Sequence, residues 1–240
     1  MTDFSRILKF SFFSVISITL FLVGPRSLFA KTLNCATTHY PPFTVFSDTT
    51  NEFTGLDMDI INPVFNNLNI KLNVENLPWA RLKVEIKLNN FDCYFSLGKF
   101  DYRETYLDYT DVPMHVTKVA IFYHKSADKP GTNFSDKVVG IHRGINLYRD
   151  IPEKYGIHES RLHKLPSNDV LFEMLALQRL DVVVTSNDVG EYILQKQHSQ
   201  LDVEKLVIDG YQLPVYLAFR KGVVDINSFN KELIKVINSK

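Results

Sequence analysis

In this 240-residue chain, Arg103 is the residue whose type and setting most directly suggest chemistry. It is the next-to-last residue of the stretch "YFSLGKFDYRE" (residues 94–104), which begins as a buried strand and turns within five residues into a glycine and a run of charges. An arginine offers a planar fork that meets a carboxylate with two parallel, charge-assisted bonds, a geometry a lysine does not supply. Gly98, five residues earlier, permits close backbone approach. The competing role for Arg103 is a surface ion pair with Asp101, Glu104 or Asp108. Metal-dependent and nucleophilic chemistry find no candidates. Seven histidines occur without the close pairing of a catalytic zinc site, the nearest pair in a polar loop being His158 and His163. There is no Gly-x-Ser-x-Gly elbow and no phosphate loop, and Cys35 and Cys93 fall within strands rather than at exposed helix starts. The chain is expected to need no metal and no cofactor.

The elements that position Arg103 alternate. "TLNCAT" reads as a strand, and "HYPPF" as a loop, because consecutive prolines join neither a ladder nor a helix interior. "GLDMDIINPVFNNLNI" places Ile60, Val64 and Leu68 at helical spacing, with Asp59 as its cap and Pro63 in its first turn. A strand follows over residues 71–75. A helix then opens at Pro78 with Trp79, Leu82 and Ile86 on one face, and Asn89 and Asn90 provide a left-handed stop before "FDCYFSL". Trp79 either anchors this helix or lines a cleft. The pattern repeats in "KVVGIHRG", in the helix "SNDVLFEMLALQRL" (Leu171, Met174, Leu175 and Gln178 along one stripe) and in the apolar strand "DVVVTS". Helices over residues 189–197 and 228–237 complete it. Strand, helix, strand, twice over, is an α/β arrangement of mainly parallel sheets flanked by helices. Two extended β-rich segments, "DVPMHVTKVAIFYHK" and "YQLPVYLAFRK", are placed to cross between two lobes and back. The expected division is residues 31–116 with 211–240 for the first lobe and 117–210 for the second. Small ligands bind in clefts between such lobes.

Residues 1–30 carry Arg6 and Lys9, then an apolar run of about 14 residues, and end in "SLFA"; the run is shorter than the roughly 20 residues a spanning helix needs. This is the pattern of a secretory signal peptide cleaved near Ala30, which makes the mature protein periplasmic. Its loss removes Arg6, Lys9 and Arg26 against Asp3, taking the net charge from 0 to −2. Nucleic acid and anionic membrane are therefore poor partners. A monomer is expected. Both cysteines belong to the exported part, where Cys35 and Cys93 form either a bridge or two buried thiols.

The order "YPPF", "GLDMD", "FDCYFSLG", Arg103, "YTDVP", "VGIHRG" and "LQRLDVVVTS" resembles bacterial solute-binding protein family 3, the type II periplasmic proteins of polar amino-acid uptake. The combination of "LPWAR" with the arginine motif resembles a divergent branch of that family. The resemblance runs from about residue 31 to residue 240. It implies a two-lobed fold joined by two hinge crossings. It also implies a ligand covered by Tyr40, donors at Ser96 and the Gly98 amide, and a carboxylate held by Arg103. The second lobe would contribute the turn of Arg143, Gly144, Ile145 and Asn146, and Ser186.

This chain departs from the family at two places. Ser186 stands where amino-acid binders carry the aspartate that holds the ligand's ammonium, and Asp188 two residues on is placed to cap the next helix. Ile145 stands where the family has a hydroxyl residue, and Arg143 adds a cation that is either in the cleft or solvated. The resemblance therefore implies capture of a small carboxylate-bearing solute, an amino acid or a relative of one, for an inner-membrane ABC permease. A ligand-sensing module serving a membrane kinase is the alternative. An exported cyclohexadienyl-type dehydratase is a third, for which Asp188, Glu191 and His142 are the candidate general acids.

Overall fold

The computed structural model describes residues 31–125, 133–145 and 150–239. Asn146 lies outside these residues. So does the proposed signal peptide.

One nine-stranded sheet runs through the molecule. β1 (Lys31–Thr37) and β5 (Cys93–Gly98) pair in parallel, with Cys35 opposite Cys93. The two sulfurs are joined, with Cα atoms 4.5 Å apart. The minor hairpin β2 (Val45–Ser47) and β3 (Glu52–Thr54) stands apart, and β4 (Ile70–Asn76) forms one edge beside β1. At the other end β8 (Val139–His142) lies parallel to β9 (Leu162–Leu165) and to β10 (Val182–Ser186). Between these groups run the two crossing strands, β7 (His115–His124) and the 18-residue β11 (Val203–Arg220), antiparallel to each other. The short β6 (Leu107–Tyr109) adds to β11.

Side-chain alternation along these strands builds the cores. In β5, Tyr94 and Phe95 are both fully buried on opposite faces. Phe95 packs with α1 (Met58–Asn67) and α7 (Ile226–Asn238) through Ile61, Val64, Phe65, Phe229 and Leu233. Tyr94 packs with Leu82 and Ile86 of α2 (Trp79–Leu88). Likewise Val182 and Val184 of β10 face one cluster and Val183 the other, which also holds Leu171, Phe172 and Leu175 of α5 (Asn168–Ala176) and Val189 and Ile193 of α6 (Asn187–Gln197). A strand covered on both faces must be apolar at every position, and "VVV" is.

Local signals hold with some corrections. Asn89 is left-handed at the end of α2, φ 59°, and the Ser167 hydroxyl accepts from Val170 N–H at the start of α5. Asp57, not Asp59, occupies the position before α1, whose sixth residue is Pro63 rather than a first-turn one. Gln178 falls beyond α5 with φ +54° and does not extend its stripe. Two short helices, α3 (Asp101–Glu104) and α4 (Asp150–Lys154), lie after β5 and β8.

Candidate functional site

β5 ends irregularly. Tyr94 pairs with Ala218 but Leu97 with Tyr216, so Phe95 and Ser96 together oppose Leu217 alone. The extra residue is absorbed by Ser96, which takes a left-handed φ of 53°. Such a bulge bends the strand and re-aims a side chain. Here it turns the Ser96 hydroxyl onto Asp57 Oδ2. Asp57 is only 1% exposed, and its other oxygen accepts from His115 Nδ1 at 2.8 Å. The His115 ring lies face to face with Phe43, centroids 3.5 Å apart and planes 2° from parallel. Its remaining nitrogen, Nε2, is buried and has no partner among the described residues.

Five residues past the end of β5, the turn α3 carries Arg103, which is 3% exposed. Its Nη1 donates to the Gly98 carbonyl at 2.7 Å, and the same oxygen accepts from the Tyr109 hydroxyl at 3.3 Å. Three rings surround the guanidinium: Phe100 at 5.0 Å, Tyr102 at 5.4 Å and Trp79 at 5.9 Å. The surface ion pair expected as an alternative does not form. Glu104 is taken by Lys99 at 2.9 Å, and among the described residues no carboxylate lies within ion-pair distance of Arg103. Burial pushes the Tyr109 phenol well above its ordinary range, with the Arg103 charge opposing that shift.

Tyr40 reaches toward the second lobe, where it packs against the Phe122 and Phe172 cluster. Burial pushes its phenol up to about 12; the Ser186 and Thr117 hydroxyls beside it lower this in part, and the carboxylates of Asp188 and Asp57 raise it. Ser186 is 9% exposed, and its Oγ has no partner in hydrogen-bond geometry among the described residues. Ser186, not Asp188, occupies the N-cap of α6, and no side chain caps that helix; Asp188 sits in its first turn. Trp79 closes the site from α2: its Nε1 donates to the Gly144 carbonyl at 3.1 Å, joined there by Lys83 Nζ at 2.9 Å. Gly144 has φ +88°, and a Cβ there would stand 3.1 Å from the Trp79 ring. Trp79 thus packs against the cluster of Leu82, Ile86 and Tyr94 and also donates to the Gly144 turn.

Of the remaining candidates, Arg143 is exposed, its backbone N–H bound to the Leu165 carbonyl at 2.7 Å. The other proposed acid–base groups are engaged elsewhere. His142 Nε2 donates to the Pro166 carbonyl at 2.9 Å, and burial holds this imidazole below its ordinary range. Glu191 lies exposed on α6 against Lys205 and Asn187. The groups the sequence did not single out are Asp57, His115, Thr117 and Lys83. The period of two in "HVTKV" does place His115 and Thr117 on one strand face, and both are shielded while Val116 and Lys118 are exposed. Nothing in the sequence pairs His115 with Asp57, 58 residues away.

Two lobes on a shared sheet, with polar groups collected where strands β5 and β10 end, define the type II periplasmic binding protein fold. Solved structures agree across nearly the whole chain. The arginine-, lysine-, histidine-binding protein ArtJ of Geobacillus stearothermophilus is similar with TM-score 0.71 at 18% identity, covering 87% of this chain and 90% of that one. An ancestral arginine-binding protein bound to arginine gives 0.72 at 20% identity, covering 86% and 92%. A histidine kinase sensor domain with similarity to periplasmic binding proteins gives 0.72 at 17% identity, covering 88% and 91%. No curated protein sequence matches the chain. Residues 33–240 match the bacterial extracellular solute-binding proteins, family 3, and the chain belongs to that family.

Proposed function

We propose that the protein is an exported binder of a small polar solute that carries a carboxylate, an amino acid or a close relative. The observation that carries this reading is the setting of Arg103. The residue is 3% exposed, and its guanidinium meets one backbone carbonyl, a phenol and three ring faces, but no anion among the described residues. Ring faces contribute about 0.5–2 kcal/mol each to holding a cation, while a buried charge without a counter-ion costs several. A ligand carboxylate supplies the missing balance. Tyr40, Ser96, the Gly98 amide and Ser186 line the same cleft in this reading, with Trp79 and Asp188 at its rim.

Residues 31–116 with 211–240 form one lobe and 117–210 the other. Ligand that bridges them binds the closed form more tightly and so shifts the population toward it. The segment 1–30 directs export and is cleaved near Ala30. The partner is an inner-membrane ABC permease; a sensor kinase is the second reading, favoured by the similarity of the kinase sensor domain above.

The test is calorimetry and thermal shift with the exported protein against amino acids, other small carboxylates and short peptides. At least one carboxylate should bind, and Arg103→Ala should weaken it by about 2–5 kcal/mol, more than tenfold in Kd. Undiminished binding by Arg103→Ala would remove the assignment.

A further inference from the structure

Beside the edge strand β4 a cavity of about 560 Å³ opens on the first lobe, and it shares no residue with the site around Arg103. Its polar lining is mainly side-chain amide: Asn34 of β1, Asn73 and Asn76 of β4, and Asn90 just after α2. Among the described residues Glu75 is its one carboxylate, and no lysine or arginine lines it. An anion would find no counter-charge there. A single acid is too few for a metal cation, and among the described residues no group of three or more His, Cys, Asp or Glu is placed to hold one. The chemistry that fits is that of a neutral, hydrogen-bonding ligand.

Each of these amides is pinned by one bond and keeps its other end unused among the described residues. Asn73 Nδ2 donates to Asn34 Oδ1 at 3.0 Å, which leaves Asn34 Nδ2 and Asn73 Oδ1. Asn76 Oδ1 accepts from the His39 N–H at 3.1 Å, which leaves Nδ2, and Asn90 Nδ2 donates to Glu85 Oε2 at 2.6 Å, which leaves Oδ1. Amide nitrogens and amide oxygens are thus both on offer in one cavity. The backbone beneath them is tied as well. Asn34 N–H donates to Asp92 Oδ2 at 3.0 Å, Asp92 N–H returns to the Asn34 carbonyl at 2.8 Å, and Arg220 holds the same carboxylate at 2.8 Å. Groups ordered in advance lose little freedom on binding.

A hydroxyl both donates and accepts, so a mixed set of fixed donors and acceptors suits a ligand rich in hydroxyls better than one with a single polar group. Phe46 and Phe91, both half-buried, bring rings to the same cavity. A pyranose presents an apolar C–H face to such rings while its hydroxyls meet the polar groups around it.

We propose that this cavity is a second binding site, for a neutral saccharide, in which the amides of Asn34, Asn73, Asn76 and Asn90 engage sugar hydroxyls and the Phe91 ring packs on the sugar. The inference goes beyond the carboxylate site and does not rest on it.

The experiment titrates maltose, cellobiose, lactose and N,N′-diacetylchitobiose into the isotope-labelled protein, up to about 10 mM, so that a Kd of about 1 mM approaches saturation. At least one sugar should bind saturably and move the NMR signals of the four side-chain amides. Asn73→Ala and Asn34→Ala, both at exposed positions, should each weaken it by about 2- to 10-fold, the worth of one hydrogen bond. Phe91→Leu, which keeps bulk but removes the ring, should also weaken it, and Arg103→Ala should leave it unchanged. The inference is overturned if none of the four sugars binds, if a bound sugar leaves those amides unmoved, or if its affinity falls with Arg103→Ala and not with Asn73→Ala. Carboxylate binding without sugar binding leaves the proposed function standing and removes this inference; sugar binding at the amides without any carboxylate ligand does the reverse.

Discussion

Tyr40 has an ionisation that reports on its surroundings. Its phenol is pushed from 10.0 up to about 12, first by burial and then by the nearby carboxylates. A raised folded value means the folded state holds the proton more tightly than the unfolded chain. The associated stability is fully present below pH 10 and is lost as pH rises from about 10 toward about 12, a change of about 2–3 kcal/mol. Tyr109 is raised by the same cause, so its burial also costs stability as the pH rises above about 10. The informative quantity is therefore the difference from Tyr40→Phe: urea denaturation of the ligand-free protein between pH 9 and 12 should show a shallower loss in the variant. Equal slopes would mean that the phenol is open to water. Residues of this kind divide by legibility. Arg103, Tyr40 and Ser186 could be singled out because a cation, an aromatic and a substituted position stand at recognisable intervals in one chain. The Asp57–His115 pair could not, because a hydrogen bond between residues 58 apart leaves no local trace.

Among elements, periodicity identified every long helix and the buried strands, because a face packed against a core must be apolar. What it missed are places where tertiary packing overrules local preference. Pro63 lies inside α1, and Ser96 holds a left-handed backbone within β5. The second case costs about 1–3 kcal/mol of backbone strain and is retained beside the site, where the bulge delivers the hydroxyl to Asp57. Gly190 in α6 tests the same competition between propensity and packing. Alanine is favoured over glycine in a helix by about 1 kcal/mol. A Cβ at Gly190, however, would overlap the Phe122 ring, whose atoms are its three nearest neighbours. Phe122 is fully buried and backed by Phe172 at 5.2 Å, so it has little room to yield. Overpacking of a core costs about 1–3 kcal/mol and should win. Gly190→Ala is expected to lower the urea midpoint despite its better propensity; an unchanged or raised midpoint would show that β7 and α6 can move apart.

For the molecule as a whole, two lobes follow from the doubled strand–helix pattern, but their fusion into one sheet does not. That continuity depends on β7 and β11 pairing with each other along nine registered residue pairs, with a shift between Val207 and Gln212. The strands set how the lobes can rotate, and the contacts across the cleft set how firmly they close. Trp79 Nε1 and Lys83 Nζ share the Gly144 carbonyl, and His39 Nε2 faces Asp169 at 3.9 Å. In the proposed hinge closure, opening the cleft would break all three, so they would stabilise only the closed form and add to ligand affinity without touching ligand. A hydrogen bond contributes about 0.5–1.5 kcal/mol net, which is about a 2- to 10-fold change in Kd. Trp79→Phe keeps a ring over Arg103 and removes one of the two donors to Gly144; Lys83→Met removes the other. Because either donor satisfies the carbonyl alone, each single variant should weaken binding only slightly, and the double variant by more than the product of the two. The loss should fall on the dissociation rate, since opening precedes release. Stopped-flow displacement of bound ligand measures it directly. A double variant that releases ligand at the wild-type rate would mean that closure depends on ligand contacts alone.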